Sequence, residues 1–191
     1  MNPNALIVVG AVIVAIIPVV FLAIILTRYV KVGPNQMLVV SGRKVRLPDG
    51  TFVGFRFVRG GGTFVLPILE KAEVLSLEVQ TIEMPGLRTR TSDGAGIQAD
   101  CIAQVKIDSN DASVLSAVEY FLGKSAGECT NIVRPVLEKH VLNALSASTA
   151  ELISQNPASC ADAAQKSAAA DLAKMGMTIV SLTLRRIRSY P

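Results

Sequence analysis

From Ala5 to Leu26 the chain runs twenty-two residues without a charge or a Ser, Thr, Asn or Gln side chain. A helix of that length spans about 33 Å, enough to cross the hydrocarbon core of a bilayer. The segment is therefore read as a retained single-pass anchor, with Ala5, Val14, Pro18 and Leu26 among its membrane-spanning residues. A cleaved signal peptide would have a shorter apolar core of about 7–15 residues behind a basic leader. Met1-Asn2-Pro3-Asn4 carries no base. Pro18 removes a backbone donor inside the span, so a kinked or re-entrant path stays open beside the straight crossing.

Beyond residue 30 the period changes. Val32-Gly33-Pro34-Asn35 predicts a turn and Gln36 to Ser41 a short strand. Thr51 to Val58 predicts a second strand, Gly60-Gly61-Gly62 a tight turn, and Thr63 to Leu77 a strand interrupted by Pro67. Val79 to Ile82 and Leu87 to Thr91 continue the β pattern, and Asp93-Gly94 marks a hairpin. The following run is the clearest: Ile97, Ala99, Cys101, Ala103, Val105 and Ile107 alternate with mostly polar neighbours, so one face meets a core. Helical spacing then takes over. Asp111 is placed as the cap of a helix ending at Gly123, and Ser125 with Glu128 reads as a capping box for a second helix through Pro135. Cys129, Val133, Val136, Leu137, His140 and Ala144 form its apolar stripe. A short turn follows Thr149, an alanine-rich helix runs from Ala158 to Lys174, and Met177 to Ile187 closes the chain as a strand. The predicted class is α+β: an N-terminal transmembrane helix, antiparallel strands packed with about three helices, and a closing strand.

The chain has 191 residues and a formal net charge of +4. Arg28, Lys31, Arg43, Lys44 and Arg46 supply five positive charges before any acid appears, leaving −1 for the remainder. Such a cluster beside a span suits anionic headgroups and places the body on the cytoplasmic side of a cell membrane. No basic stripe interleaved with aromatics accompanies it, so nucleic acid is not an expected partner. The segment Phe55 to Leu69 admits two readings, a core strand or a shallow membrane contact through Phe55, Arg56, Phe57, Arg59 and Phe64.

Candidate chemistry is sparse. The three cysteines, Cys101, Cys129 and Cys160, show neither disulfide nor zinc spacing. Cys101 alternates inward as a small apolar residue. His140, the single histidine, falls on an apolar helix face as a hydrogen-bonded packing residue rather than a base. Gly60-Gly61-Gly62 lacks the lysine-plus-hydroxyl ending of a phosphate loop, and Asp93-Gly94 lacks the carboxylate density of a calcium loop. No catalytic residue, cofactor or metal is expected.

The stretches Val32-Gly33-Pro34-Asn35-Gln36-Met37-Leu38-Val39-Val40-Ser41-Gly42, Ile97 to Asp108, Phe121-Leu122-Gly123-Lys124-Ser125, Leu137-Glu138-Lys139-His140 and Asp171 to Met177 with Val180-Ser181-Leu182-Thr183-Leu184 resemble, in order, the landmarks of the flotillin SPFH domain, also called band 7 or prohibitin-homology. The resemblance implies an SPFH domain over 31–191 behind an anchor over 1–30, as in bacterial members. It further implies a non-enzymatic scaffold that self-assembles into large rings or cages and organises a membrane microdomain, or lipid raft, with lipids, further copies and membrane-protein clients as partners. The alternative is a membrane-tethered regulator that confines a protease or another client. Flotillins carry a long Ala/Glu-rich coiled coil after this domain, whereas this sequence stops at Tyr190-Pro191. The expectation is either a truncated chain or assembly through the SPFH domain alone.

Overall fold

The computed structural model describes residues 14–20, 23, 29–46, 52–66 and 69–190. Of the expected anchor, Val14 to Val20 and Ala23 are helical, with Val14 and Pro18 exposed; Ala5 and Leu26 lie outside the described residues. Among the described residues no helix is long and apolar enough to cross a membrane. The chain divides into two compact units, Met1–Val74 and Leu75–Pro191.

The first unit holds a long antiparallel ribbon. Strand β1 (Tyr29–Arg46) pairs with β2 (Phe52–Phe64), and β3 (Lys71–Ser76) adds to the other edge of β1. The two predicted turns are corrected here. Gly33-Pro34-Asn35 and Gly60-Gly61-Gly62 fall inside β1 and β2, where they bend the paired ribbon rather than separate strands: Arg56 reaches the Phe64 carbonyl at 3.0 Å across the glycines. The ladder shifts register between Val32 and Met37, and Gly60 and Gly61 take φ of +64° and +75° in the facing strand. Bulge residues thus replace turn residues, because glycine adopts left-handed backbone without a Cβ penalty and lets the strand bend while pairing continues. The strand expected over Thr63 to Leu77 is divided between the end of β2 at Phe64 and β3 from Lys71, and Pro67 lies outside the described residues. Val32, Leu38 and Val40 form the buried cluster, flanked by Val30, Val58, Val65 and Ala72.

In the second unit β4 (Gln80–Arg90), β5 (Gly96–Ile107) and β6 (Met177–Tyr190) form a three-stranded antiparallel sheet in the order β4-β5-β6. The two short strands predicted around Pro85 are one strand. Proline lacks the ladder donor and falls at a bulge between Met84 and Leu87, where Gly86 has φ +69° and its N–H reaches Asp100 Oδ1 at 2.8 Å. All six alternating residues of β5 predicted to face a core are buried.

Helices α1 (Asp111–Phe121), α2 (Ala126–Ala147), α3 (Ala150–Gln155) and α4 (Pro157–Lys174) complete the unit, α3 being the short turn expected after Thr149, whose side chain caps it. Asn110, not Asp111, caps α1: its backbone is extended, and its side-chain oxygen accepts the Ala112 N–H at 3.4 Å. The capping box at Ser125 and Glu128 forms as read, the carboxylate accepting the Ser125 N–H at 2.7 Å. Pro135 is accommodated inside α2. The buried row of α2 is Cys129, Val133, Leu137, Val141 and Leu145, while Val136, His140 and Ala144 are half-buried beside it. On α4 the buried row is Cys160, Ala161, Ala164, Ala168 and Leu172, and its small side chains let α2 approach closely.

Candidate membrane-facing surface

At one end of the first sheet, Tyr29 and Phe64 stand opposite each other in register, with ring centroids 5.2 Å apart and planes at 60°. That edge-to-face contact needs Gly62, since a Cβ there would lie 2.2 Å from the Tyr29 hydroxyl. The pair does not bury the rings. Tyr29 is 44% and Phe64 53% exposed, and Leu66 and Leu69 in the following turn are 47% and 62% exposed. Lys31, exposed, shares the Tyr29 face of β1. Two aromatic rings and a cation thus stand at the start of β1, and Leu66 and Leu69 add exposed apolar surface in the turn that follows Phe64.

The turn presenting Leu66 and Leu69 is held from below. Glu70 Oε2 accepts the Leu66 N–H at 3.2 Å and pairs with the Arg56 guanidinium at 3.2 Å, while Arg56 also donates to the Phe64 carbonyl at 3.0 Å. The Glu70 side chain is only 4% exposed. Arg56, read from sequence as a headgroup contact, is therefore committed to clasping this turn. Phe55 and Phe57 are half-buried and pack on each other along β2, centroids 5.4 Å apart. Arg59 is exposed opposite Met37. The backbone of Arg43, Lys44 and Arg46 completes β1, and Arg28 lies outside the described residues. Leu66, Leu69 and Tyr29 were not singled out by sequence reasoning, although the run Phe64-Val65-Leu66-Pro67-Ile68-Leu69 is apolar throughout.

The second unit brings together a group no spacing revealed. His140 Nε2 lies 3.0 Å from Asp171 Oδ2 and Nδ1 lies 3.1 Å from Ser167 Oγ, linking α2 to α4. The Lys174 ammonium, then the His140 ring, hold the Asp171 carboxyl below its usual range. These are triad residue types without triad function. The Ser167 hydroxyl donates to the Ala164 carbonyl, and Ser167 stands mid-helix, where neighbouring N–H groups belong to the helix ladder and cannot receive an oxyanion. Cys101 is pushed up to about 12 by burial, and burial raises Cys129 and Cys160 as well, so the thiols stay protonated. Asp93 is pulled down first by the Thr91 hydroxyl and secondly by the Ala150 N–H, as befits a turn acceptor. Among the described residues no group of three or more His, Cys, Asp or Glu side chains is arranged to hold a metal.

Bulged ribbon, helix-backed antiparallel sheet and exposed apolar edge occur in a chain whose residues 30–190 match the SPFH domain / Band 7 family, and the chain belongs to that family. Its relatives are flotillins. It is 36% identical over 172 residues to Flotillin-like protein FloT of Bacillus subtilis (strain 168), covering 87% of this chain and 34% of that one. Flotillin-1 of Drosophila melanogaster is 35% identical over 161 residues, covering 84% of this chain and 36% of the relative. Human Flotillin-1 is 34% identical over 156 residues, covering 81% and 35%. The chain spans about a third of the length of the curated relatives it matches.

Proposed function

We propose that this chain is a non-enzymatic membrane scaffold: residues 5–26 anchor it, the SPFH domain of 31–191 lies against the cytoplasmic face of the cell membrane, and copies assemble into a large ring or cage that organises a microdomain. Family membership supports the scaffold class. The observation that carries the membrane placement is the exposed edge of Tyr29, Phe64, Leu66 and Leu69 directly after the anchor. Fully burying a side chain such as Phe or Leu gains about 1.5–3 kcal/mol, and each nearby cation adds about 1 kcal/mol at an anionic surface. Lys31 is the cation of that face; the sequence assigns Arg28, Arg43, Lys44 and Arg46 to the headgroups as well, while Phe55, Arg56 and Phe57 support the edge from within the sheet and Arg59 flanks it.

A nitroxide on Leu69→Cys, in the full chain reconstituted into anionic vesicles, is expected to be reached by oxygen and shielded from a polar nickel chelate. The same label on Val180→Cys, exposed on β6, gives the reverse order. Equal access of the chelate to both positions removes the membrane-contact reading.

A further inference from the structure

Helices α2 and α4 run antiparallel, since His140 meets Ser167 and Asp171 while Ser148 meets Cys160. At the C-terminal end of α4 a groove of about 360 Å³ opens, lined by Tyr120, Pro135, Val136, Lys139, Lys174 and Met175, with Asp171 at its side. Its lining is largely apolar, and its rim carries Lys139 and Lys174 beside one acid, Asp171, which pairs with Lys174 at 3.0 Å. Tyr120 is 43% exposed, Lys139 makes no ion pair among the described residues, and Lys174 is 75% exposed beside Asp171. At the other end of α4, about 25 Å away by helix rise, sits α3. There Leu152 is 46% exposed next to exposed Glu151, and the Asp93 carboxylate accepts the Ala150 N–H at 3.2 Å, fixing α3 beside a second negative charge. One end of the helical layer is an apolar knob with acids; the opposite end is an apolar hollow where two bases, Lys139 and Lys174, outnumber the one acid, Asp171.

We propose that the groove receives α3 of a second copy of this chain, with Leu152 against Val136, Pro135 and Tyr120 and with Glu151 facing Lys139 and Lys174. The proposal rests on the self-assembly reading above and names its contact. Because knob and hollow lie on different surfaces of one subunit, the contact is head-to-tail, and repeating it produces a closed ring or an open array rather than a two-fold dimer. The interface is small, so it works through avidity: anchoring in one membrane raises the effective concentration of each partner for the next. Charge complementarity selects the orientation, since two acidic ends or two basic ends repel.

The test is cysteine crosslinking of the full chain in mild detergent. The native thiols Cys101, Cys129 and Cys160 are buried and give little background. Leu152→Cys combined with Lys174→Cys is expected to give, on oxidation, a ladder of covalent multimers that reductant collapses. Within one chain the two positions are too far apart for a disulfide, whose Cα atoms lie within about 7 Å. Mixing the two single variants yields dimers, and neither alone does. Adding Glu151→Lys to the doubly substituted chain lowers the crosslinked fraction about tenfold. Covalent dimers from Leu152→Cys alone, or no ladder from a chain that still forms large particles, overturn the proposal while leaving the scaffold reading intact. No ladder, with the unsubstituted chain itself monomeric, overturns both.

Discussion

Gly176→Ala is expected to destabilise the second unit by about 3 kcal/mol, lowering the midpoint of thermal unfolding on the order of 10 °C. Gly176 follows α4 with φ +73°, and its carbonyl accepts the Asp108 N–H at 3.0 Å. A Cβ there would stand 1.9 Å from the Ser113 carbonyl oxygen and 2.7 Å from the Ala117 nitrogen, both backbone atoms of α1. The left-handed conformation contributes about 1–2 kcal/mol of the loss, and displacement of α1 supplies the remainder. Gly94 separates the two terms. It has φ +82° in the hairpin turn, but a Cβ there meets nothing within 4 Å. Gly94→Ala therefore carries only the conformational cost, about 1 kcal/mol. Circular dichroism melts of both variants decide the matter. Equal shifts would show that the approach of α1 to Gly176 contributes nothing.

Removing the Arg56 side chain is the second large perturbation. Arg56→Ala leaves the Glu70 carboxylate, 4% exposed, with the Leu66 N–H as its remaining partner in the turn. Breaking a buried pair costs about 3–5 kcal/mol, and since the Arg56 side chain is 36% exposed the expected loss is nearer 2 kcal/mol. The loss is local: the Glu70 amide, bonded to the Leu66 carbonyl at 2.8 Å, should exchange its hydrogen roughly 30-fold faster. Glu70→Gln keeps an acceptor for Leu66 and should cost less. If Arg56→Ala left that exchange rate unchanged and weakened only vesicle contact, Arg56 would be a headgroup ligand and the clasp would be incidental.

Arg56 also illustrates why the site was harder to read than the fold. Its neighbours in sequence, Phe55 and Phe57, suggest an amphipathic strand, yet its partner Glu70 lies fourteen residues away, beyond the end of β2. The side chain that fixes the apolar edge is thus invisible to spacing, whereas the apolar run it supports is plainly written. His140 repeats the lesson. Its place on the α2 stripe was legible, but Ser167 and Asp171 meet it through the register between two helices. Local rules succeeded where one element determines its own geometry, as in the alternation of Ile97 to Ile107 and the Ser125–Glu128 capping box. They failed at Gly60-Gly61-Gly62, where a turn signal was overridden by the long partner strand β1, which pairs Gly61 and Gly62 and resumes pairing at Arg59 beyond the bulge.

The most direct test of the scaffold account is the particle size of the full chain extracted in mild detergent, by size exclusion with light scattering followed by negative-stain imaging. The account predicts rings or cages of many subunits at the mass of a large homo-oligomer. A monodisperse monomer would contradict it.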